Sequence, residues 1–180
     1  MRRWLTRFCK KNANYKRIVR PRAQRILREY ARETSLQDLK RLLQKIDVWE
    51  FLKWKGPQKC KTFRDVLNLL LKEGVNTEDD LRTWLQWDDS KAKLLEIDFI
   101  GPKTVDYLKV LVGLDEAAMD LHLFRFLEGA GLGKLSYERA KEVIHQTADS
   151  MGWKRADLDH SIWRYMSGGK LTPKAGSETP

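Results

Sequence analysis

The sequence predicts an all-α protein of about eight to nine helices. Apolar residues return every third or fourth position through most of the chain, the spacing of one helix face. Ser, Thr or Asp stands ahead of many of these stretches and Gly behind them, the residues that start and stop helices. No stretch alternates apolar and polar residues with the period of two that a half-buried strand requires.

Taken in order, Pro21 suits the first turn of a helix running to about Glu33. Ser35 caps the next, with Asp38 completing a shortened capping box, and Leu36, Leu39, Leu42, Leu43 and Ile46 form one stripe. The stretch from Trp49 to Cys60, with Gly56-Pro57, is the least regular and reads as a loop holding a short helical piece. Thr62 is the expected cap of a helix buried through Phe63, Val66, Leu67, Leu70 and Leu71 and stopped by Gly74. Thr77 caps another, with Glu78, Asp79 and Asp80 at its positive end and Leu81, Trp84 and Leu85 inward.

Ser90 is the expected start of a helix that ends at Ile97. After a turn at Gly101-Pro102, a helix opens with Lys103 and Thr104 and stops at Gly113. Asp120 stands at or near the start of a further apolar helix, broken by Gly129 and Gly131. Ser136 caps a long helix with Tyr137, Ala140, Val143, Ile144, Thr147 and Met151 on one face, ended by Gly152. A final helix begins near Asp157 and carries Ile162, Trp163 and Met166 to Gly168-Gly169. Residues 168–180 are polar and rich in Gly, Pro, Ser and Thr, the composition of a disordered tail.

With 180 residues, 33% of them charged and 42% hydrophobic, the chain is long enough to bury a real core. No apolar run approaches the ~20 residues that span a bilayer. Cys9 and Cys60 are too few for a four-cysteine cluster or a zinc site without other ligands, and nothing visible requires a metal or organic cofactor. Free thiols fit a reducing cytoplasm, or the nucleoid if the source is bacterial.

The net charge of +10 is uneven. Residues 1–28 hold eleven Lys or Arg and no acid, so subtracting eleven from +10 leaves the other residues at −1. This reads as a phosphate-contacting arm or helix, with Arg2, Arg3, Lys10, Lys11, Lys16 and Arg17 as candidate DNA contacts. A solvated basic face without a partner is the plainer alternative. An organellar transit peptide is disfavoured, because Thr6 is the only Ser or Thr and Trp4, Phe8 and Tyr15 are packing residues.

The stretch from Leu95 to Leu127, LEIDFIGPKTVDYLKVLVGLDEAAMDLHLFRFL, says most about function. A glycine turn before a helix offers backbone N–H groups that have no partner inside the helix, and Lys103 adds a positive charge at that mouth. Asp120 follows 17 positions after Lys103, then come His122 and Arg125. The Ile-Gly-Pro-Lys-Thr turn resembles the helix-hairpin-helix DNA-binding motif. The Met-Asp-Leu-His-Leu-Phe-Arg segment resembles the stretch that carries the catalytic aspartate in the helix-hairpin-helix DNA glycosylase superfamily, which includes endonuclease III and the 8-oxoguanine glycosylases. The resemblance covers roughly Leu94 to Leu132, with the hairpin at 94–113 inside a glycosylase-like domain at 29–167. Two departures stand out. The family hairpin has two glycines separated by one residue, and Phe99 occupies the place of the first. The polar motif that lines the base pocket in relatives has no match upstream.

The resemblance implies two small helical lobes around a cleft, without an iron–sulfur cluster. It implies a monomeric DNA glycosylase that removes a damaged or modified base from double-stranded DNA by N-glycosidic cleavage. Asp120 would be catalytic, and Lys103 either contacts phosphate or is the nucleophile of an abasic-site lyase step. Phe99, Ile100, Gly101, Pro102, Lys103 and Thr104 would bind DNA. From the residues alone, Asp120 is equally a helix N-cap, and a bulky Phe99 disfavours a left-handed backbone, so it either reshapes the turn or places an aromatic near DNA. His122 is read as structural, Arg125 as a partner of carboxylate or phosphate, and Asp157, Asp159 and His160 as a charged helix start rather than a metal cluster. Among the tryptophans, Trp49 and Trp54 are preferred for stacking on an extruded base. The alternatives are a non-catalytic helix-hairpin-helix DNA-binding module and, more weakly, a helical adaptor for an acidic protein partner.

Overall fold

A computed structural model describes residues 17, 20–32, 34–54 and 56–168. The candidate contacts Arg2, Arg3, Lys10, Lys11 and Lys16, together with Cys9 and the tail at 169–180, lie outside the described residues. Among the described residues ten α-helices form and there is no strand, so the protein is all-α. They are α1 (Arg20–Glu29), α2 (Leu36–Leu42), α3 (Val48–Leu52), α4 (Pro57–Lys72), α5 (Glu78–Trp84), α6 (Asp88–Leu95), α7 (Pro102–Leu111), α8 (Leu121–Leu127), α9 (Tyr137–Ser150) and α10 (Arg155–Met166). One turn of π-helix, Glu128–Leu132, extends α8.

The chain divides into two compact units, Met1–Leu114 and Asp115–Pro180. Each has its own apolar core. In the first, Ile26, Leu36, Leu39, Phe51, Phe63, Val66, Leu70, Leu81, Trp84, Leu94, Val105 and Leu108 pack together. The second is built from Ala117, Met119, Leu123, Leu127, Ala140, Ile144, Ala148, Leu158 and Ile162.

Several short helices are fixed by side chains that seal their first turns. Ser35 Oγ accepts from the Asp38 amide at 3.0 Å while Asp38 accepts from the Ser35 amide at 3.0 Å. The bond from Ser35 and that from Arg41 bring the Asp38 carboxyl down to about 2. Thr77 and Asp80 repeat the device at α5, and Ser136 caps α9. Gly74, at φ 76, follows α4 and makes the left-handed step that stops it.

Other helix limits differ from those read from sequence. The helix containing Pro21 ends at Glu29, short of Glu33. Residues 20–28 belong to α1, whose Ile26 is buried and whose Arg25 donates to the Phe51 carbonyl and pairs with Glu29 at 2.7 Å. The expected loop at 49–60 contains most of α3, and α4 opens at Pro57, five residues before Thr62. Gly56 is the N-cap and Pro57 the first helical residue, where its missing N–H costs nothing. Thr62 is therefore buried inside α4 rather than capping it. Ser90 likewise lies inside α6, with its hydroxyl donating back to the Trp87 carbonyl at 2.8 Å. The buried face of α9 runs through Ala140, Ile144 and Ala148, leaving Thr147 and Met151 exposed. The last helix begins at Arg155, before Asp157.

Removing a true cap should cost more than removing a hydroxyl that only bonds back within its helix. Ser35→Ala or Thr77→Ala should each lower stability by about 1 kcal/mol in urea unfolding, and Ser90→Ala should cost less than either.

Candidate functional site

The hairpin residues lie together in the first unit, on the turn between α6 and α7. The turn is tied to α4 at several points. Thr62 Oγ1 donates to the Asp98 carbonyl at 3.1 Å and to the Gln58 carbonyl at 3.0 Å. Lys61 Nζ reaches Asp98 Oδ2 at 3.2 Å and Asp65 Oδ2 at 2.9 Å. Both carboxylates raise the Lys61 pKa, with the hydrogen bond to Asp65 the larger cause. The Ile100 amide closes the turn onto the Ile97 carbonyl at 3.0 Å, and the Ile100 side chain is buried.

Phe99 does take up the left-handed backbone, at φ 68, and its side chain is 55% exposed. The turn thus keeps a shape that glycine would adopt more readily. Gly101 has an ordinary extended backbone, φ −117 and ψ 173, and a Cβ built on it would meet nothing within 4 Å. Neither conformation nor packing requires a glycine there. Gly101 is the N-cap of α7 and Pro102 its first residue, with Lys103 exposed beside them. The Thr104 and Val105 amides bond the Gly101 carbonyl at 2.8 and 3.3 Å.

Among the helices whose caps are described, this end shares its character with that of α4 alone. No side chain caps it and no acid lies in its first turn. Ser35, Thr77, Asp120 and Ser136 seal their helices with side-chain bonds. The uncapped starts at Asp47, Trp87 and Lys154 have acids in the first turn. Gly56 resembles Gly101 in sequence, but its Cβ position lies 3.5 Å from the Trp54 ring. That ring also has Lys59 Nζ at 3.4 Å and the Arg22 guanidinium at 4.5 Å from its centroid. Trp49 is half exposed on α3. The mouths of α4 and α7 are therefore where a helix dipole and its first amides face neither a capping side chain nor an acid, and at α7 no ring stands beside the glycine.

Asp120 stands in the second unit as the N-cap of α8. One oxygen, Oδ1, accepts from the His122 and Leu123 amides at 2.8 and 3.2 Å. The other, Oδ2, has no hydrogen-bond partner among the described residues. His122 meets the edge of Trp163 with ring centroids 6.3 Å apart, and His160 stacks on the same tryptophan at 6.1 Å. Arg125 is exposed.

Sequence reasoning missed what holds Asp120 in place. Residues 116–119 lie outside any helix and are buried, so their backbone groups need partners. The Ala117 amide donates to Glu116 Oε1 at 3.0 Å, and the Ala118 amide to Asp159 Oδ2 at 3.0 Å. Glu116 is itself met by Lys141 Nζ at 2.9 Å. His145 Nε2 lies 2.6 Å from Glu116 Oε1 but off hydrogen-bond alignment, so this contact acts through charge and proximity rather than a directed bond. Burial pushes the Glu116 pKa up, yet Lys141, the Ala117 amide and His145 outweigh it and hold the carboxyl below its ordinary value. The signal in the sequence was a carboxylate in the otherwise apolar run to Met119, but its partners lie 25 and 29 positions away. Asp159 serves the backbone of this segment, and no group of three or more His, Cys, Asp or Glu among the described residues could hold a metal.

A shallow depression lined by Gln37, Lys40, Arg41 and Leu71 touches none of the predicted site residues. No helix among the described residues is long and apolar enough to cross a membrane.

Residues 52–167 match the family described as a domain of unknown function, DUF8548, and the chain belongs to that family. No curated protein and no solved structure matches the chain.

The buried Glu116–Lys141 pair sets a test of the second unit. Because the folded carboxyl is held low, its contribution is present above the unfolded carboxyl's pKa and is lost as pH falls through and below that value. Lys141→Met leaves a buried carboxylate with only the Ala117 amide and His145 beside it and should cost roughly 3 kcal/mol near neutral pH. Urea titrations across pH should also show a smaller loss on acidification than in the wild type.

Proposed function

We propose that this chain is a DNA glycosylase of the helix-hairpin-helix kind, gripping a backbone phosphate at the start of α7 and using Asp120 on the sugar. The observation that carries the phosphate contact is Gly101. Its backbone would suit any residue and a Cβ would meet nothing, so the bare approach to the α7 amides serves something outside the chain. Lys103 supplies charge at the same place, on a turn held by Thr62 and Lys61.

The chemistry rests on the division of labour within Asp120. Oδ1 seals α8 and so fixes the side chain, while Oδ2 is left for a substrate. Breaking an N-glycosidic bond sends the bonding electrons out with the base and leaves positive charge on the sugar, as in glycoside hydrolysis. A held carboxylate stabilises that charge and orients the water that attacks the sugar carbon. If Lys103 takes the place of water, its amine displaces the base and a Schiff base follows, opening the route to strand nicking. The partner in either case is double-stranded DNA, bound by a monomer in the compartment that holds the genome. The second reading, a DNA-binding module without chemistry, is favoured by the same Asp120 cap, which explains the residue with no reaction at all.

A panel of duplexes with damaged and modified bases, followed by heat or alkali to cut abasic sites, decides between them. Asp120→Asn keeps the cap, so it should leave the fold and DNA binding intact while removing most base release. Release that persists in Asp120→Asn, or wild type that binds DNA and releases nothing, leaves the binding module. Lys103→Gln should abolish borohydride trapping if that lysine is the nucleophile, and otherwise only weaken binding.

Two variants address the phosphate contact. Gly101→Val should hold its melting temperature and lose roughly tenfold in affinity for duplex DNA, the loss of one charge-assisted contact of about 1.5 kcal/mol. Removing residues 1–19 spares α1, whose Ile26 is core, and takes away seven Lys or Arg. The slope of log affinity against log salt should then become shallower.

A further inference from the structure

We infer that Arg22, laid over the Trp54 ring, is a second phosphate-binding point of the first unit, with a nucleic-acid backbone as its ligand. The inference rests on the reading that the chain binds nucleic acid, and goes beyond it by assigning a contact outside the hairpin.

The arginines of α1 are put to different uses. Arg25 donates to the Phe51 carbonyl and pairs with Glu29, and Arg28 meets the same carboxylate group at 3.7 Å. Arg22 is half-buried and has neither a hydrogen bond nor an ion pair among the described residues. Its guanidinium lies 4.5 Å from the centroid of the Trp54 ring. A guanidinium stacked on a ring is held by its face, which leaves the N–H donors around its edge for another partner. Those donors match the oxygens of a phosphate two at a time.

The surroundings favour an anion. Lys59 Nζ lies 3.4 Å from the same ring centroid, so a second cation stands at this indole. No acid lies in the first turn of α4, which begins two residues after Trp54. Trp54 itself packs against the core of the first unit, so the ring that carries Arg22 is fixed. This gives Trp54 a task other than stacking on an extruded base, because what it presents is a guanidinium.

The place also adjoins the hairpin. Thr62 Oγ1 lies 3.0 Å from the Gln58 carbonyl in the first turn of α4 and 3.1 Å from the Asp98 carbonyl in the hairpin turn. The turn that follows Trp54 and the turn that leads to α7 are therefore neighbours within one unit. Contacts to nearby phosphates of one strand need that adjacency.

The test uses the full chain, a short duplex and inorganic phosphate. Arg22→Gln should lower affinity for the duplex roughly tenfold and make the slope of log affinity against log salt shallower by about one. Arg22→Lys keeps the charge without the stacked fork, so it should bind less tightly than wild type at an unchanged slope. Arg28→Gln removes an exposed cation of the same helix that does not meet the ring, and should change affinity far less than Arg22→Gln. The melting temperature of Arg22→Gln should stay near that of wild type, since a cation over a partly exposed ring adds little to the fold. Adding duplex should shift the Trp54 indole N–H resonance in wild type and leave it in place in Arg22→Gln.

Equal affinity and slope in wild type and Arg22→Gln overturn the site and leave the hairpin reading standing. So do equal losses in Arg22→Gln and Arg28→Gln, which would make Arg22 part of a diffuse charge. Should Arg22→Gln melt lower, Arg22→Lys decides, and wild-type affinity in that variant overturns the stacked fork. A Trp54 resonance moved by inorganic phosphate but not by duplex overturns the nucleic-acid backbone as the ligand. Wild type that binds no duplex overturns the nucleic-acid reading, and the site falls with it. Arg22-dependent binding with no base release from any substrate keeps the site and rejects only the glycosylase.

Discussion

A chain made of short helices must do something with the amides that begin each one, and that constraint organises this molecule. Many of the helices are one to three turns long, so the first-turn N–H groups are a large share of the backbone. Ser35, Thr77, Asp120 and Ser136 answer the requirement with side chains, and acids stand in the first turn at Asp47, Trp87 and Lys154. Gly56 lies under the Trp54 ring. The start of α7, like that of α4, has Gly and Pro, neither of which can seal it with a polar side chain, and it differs from α4 in having no ring beside its glycine. The functional reading of the hairpin grows out of this contrast within one molecule, as much as from likeness to other proteins.

Asp120 obeys the same constraint. Sealing α8 with one oxygen fixes the other, so the cap and the proposed catalytic role do not compete. The buried approach to Asp120 repeats the economy. Glu116 and Asp159 each give a carboxylate oxygen to a backbone amide of the same segment, and Lys141 balances the buried charge of Glu116. Unpaired, that carboxylate would be among the most costly groups in the second unit. Held as it is, it makes the segment before Asp120 rigid.

Much of this was legible in the sequence because it is local. Ser35 with Asp38 and Thr77 with Asp80 are pairs three residues apart, and Gly74 and Gly113 mark stops at positive φ. The same local logic misread Thr62. A threonine followed three residues later by Asp65 looks like a cap, but its hydroxyl bonds back to Gln58 and across to Asp98. The earlier Gly56-Pro57 start carried the better signal. At Phe99 sequence left open whether a bulky residue would reshape the turn or place an aromatic near DNA, and the residue itself adopts the left-handed backbone. The Glu116, Lys141 and His145 cluster was not legible at all, because only tertiary packing of the 115–120 segment against α9 joins residues so far apart in the chain.

The two cores are each drawn from one unbroken length of chain, residues 26–112 and 117–162. This has a consequence for how the protein is made. Contacts that are short in sequence close quickly, since little loop entropy is lost in forming them. A growing chain therefore has every buried residue of the first core before Asp120 is synthesised, and domains fold as units in order of their emergence. The turn bearing Phe99 and Gly101 can thus be complete on a nascent chain that does not yet carry Asp120. The open end of α7 precedes the capping carboxylate along the time axis of translation.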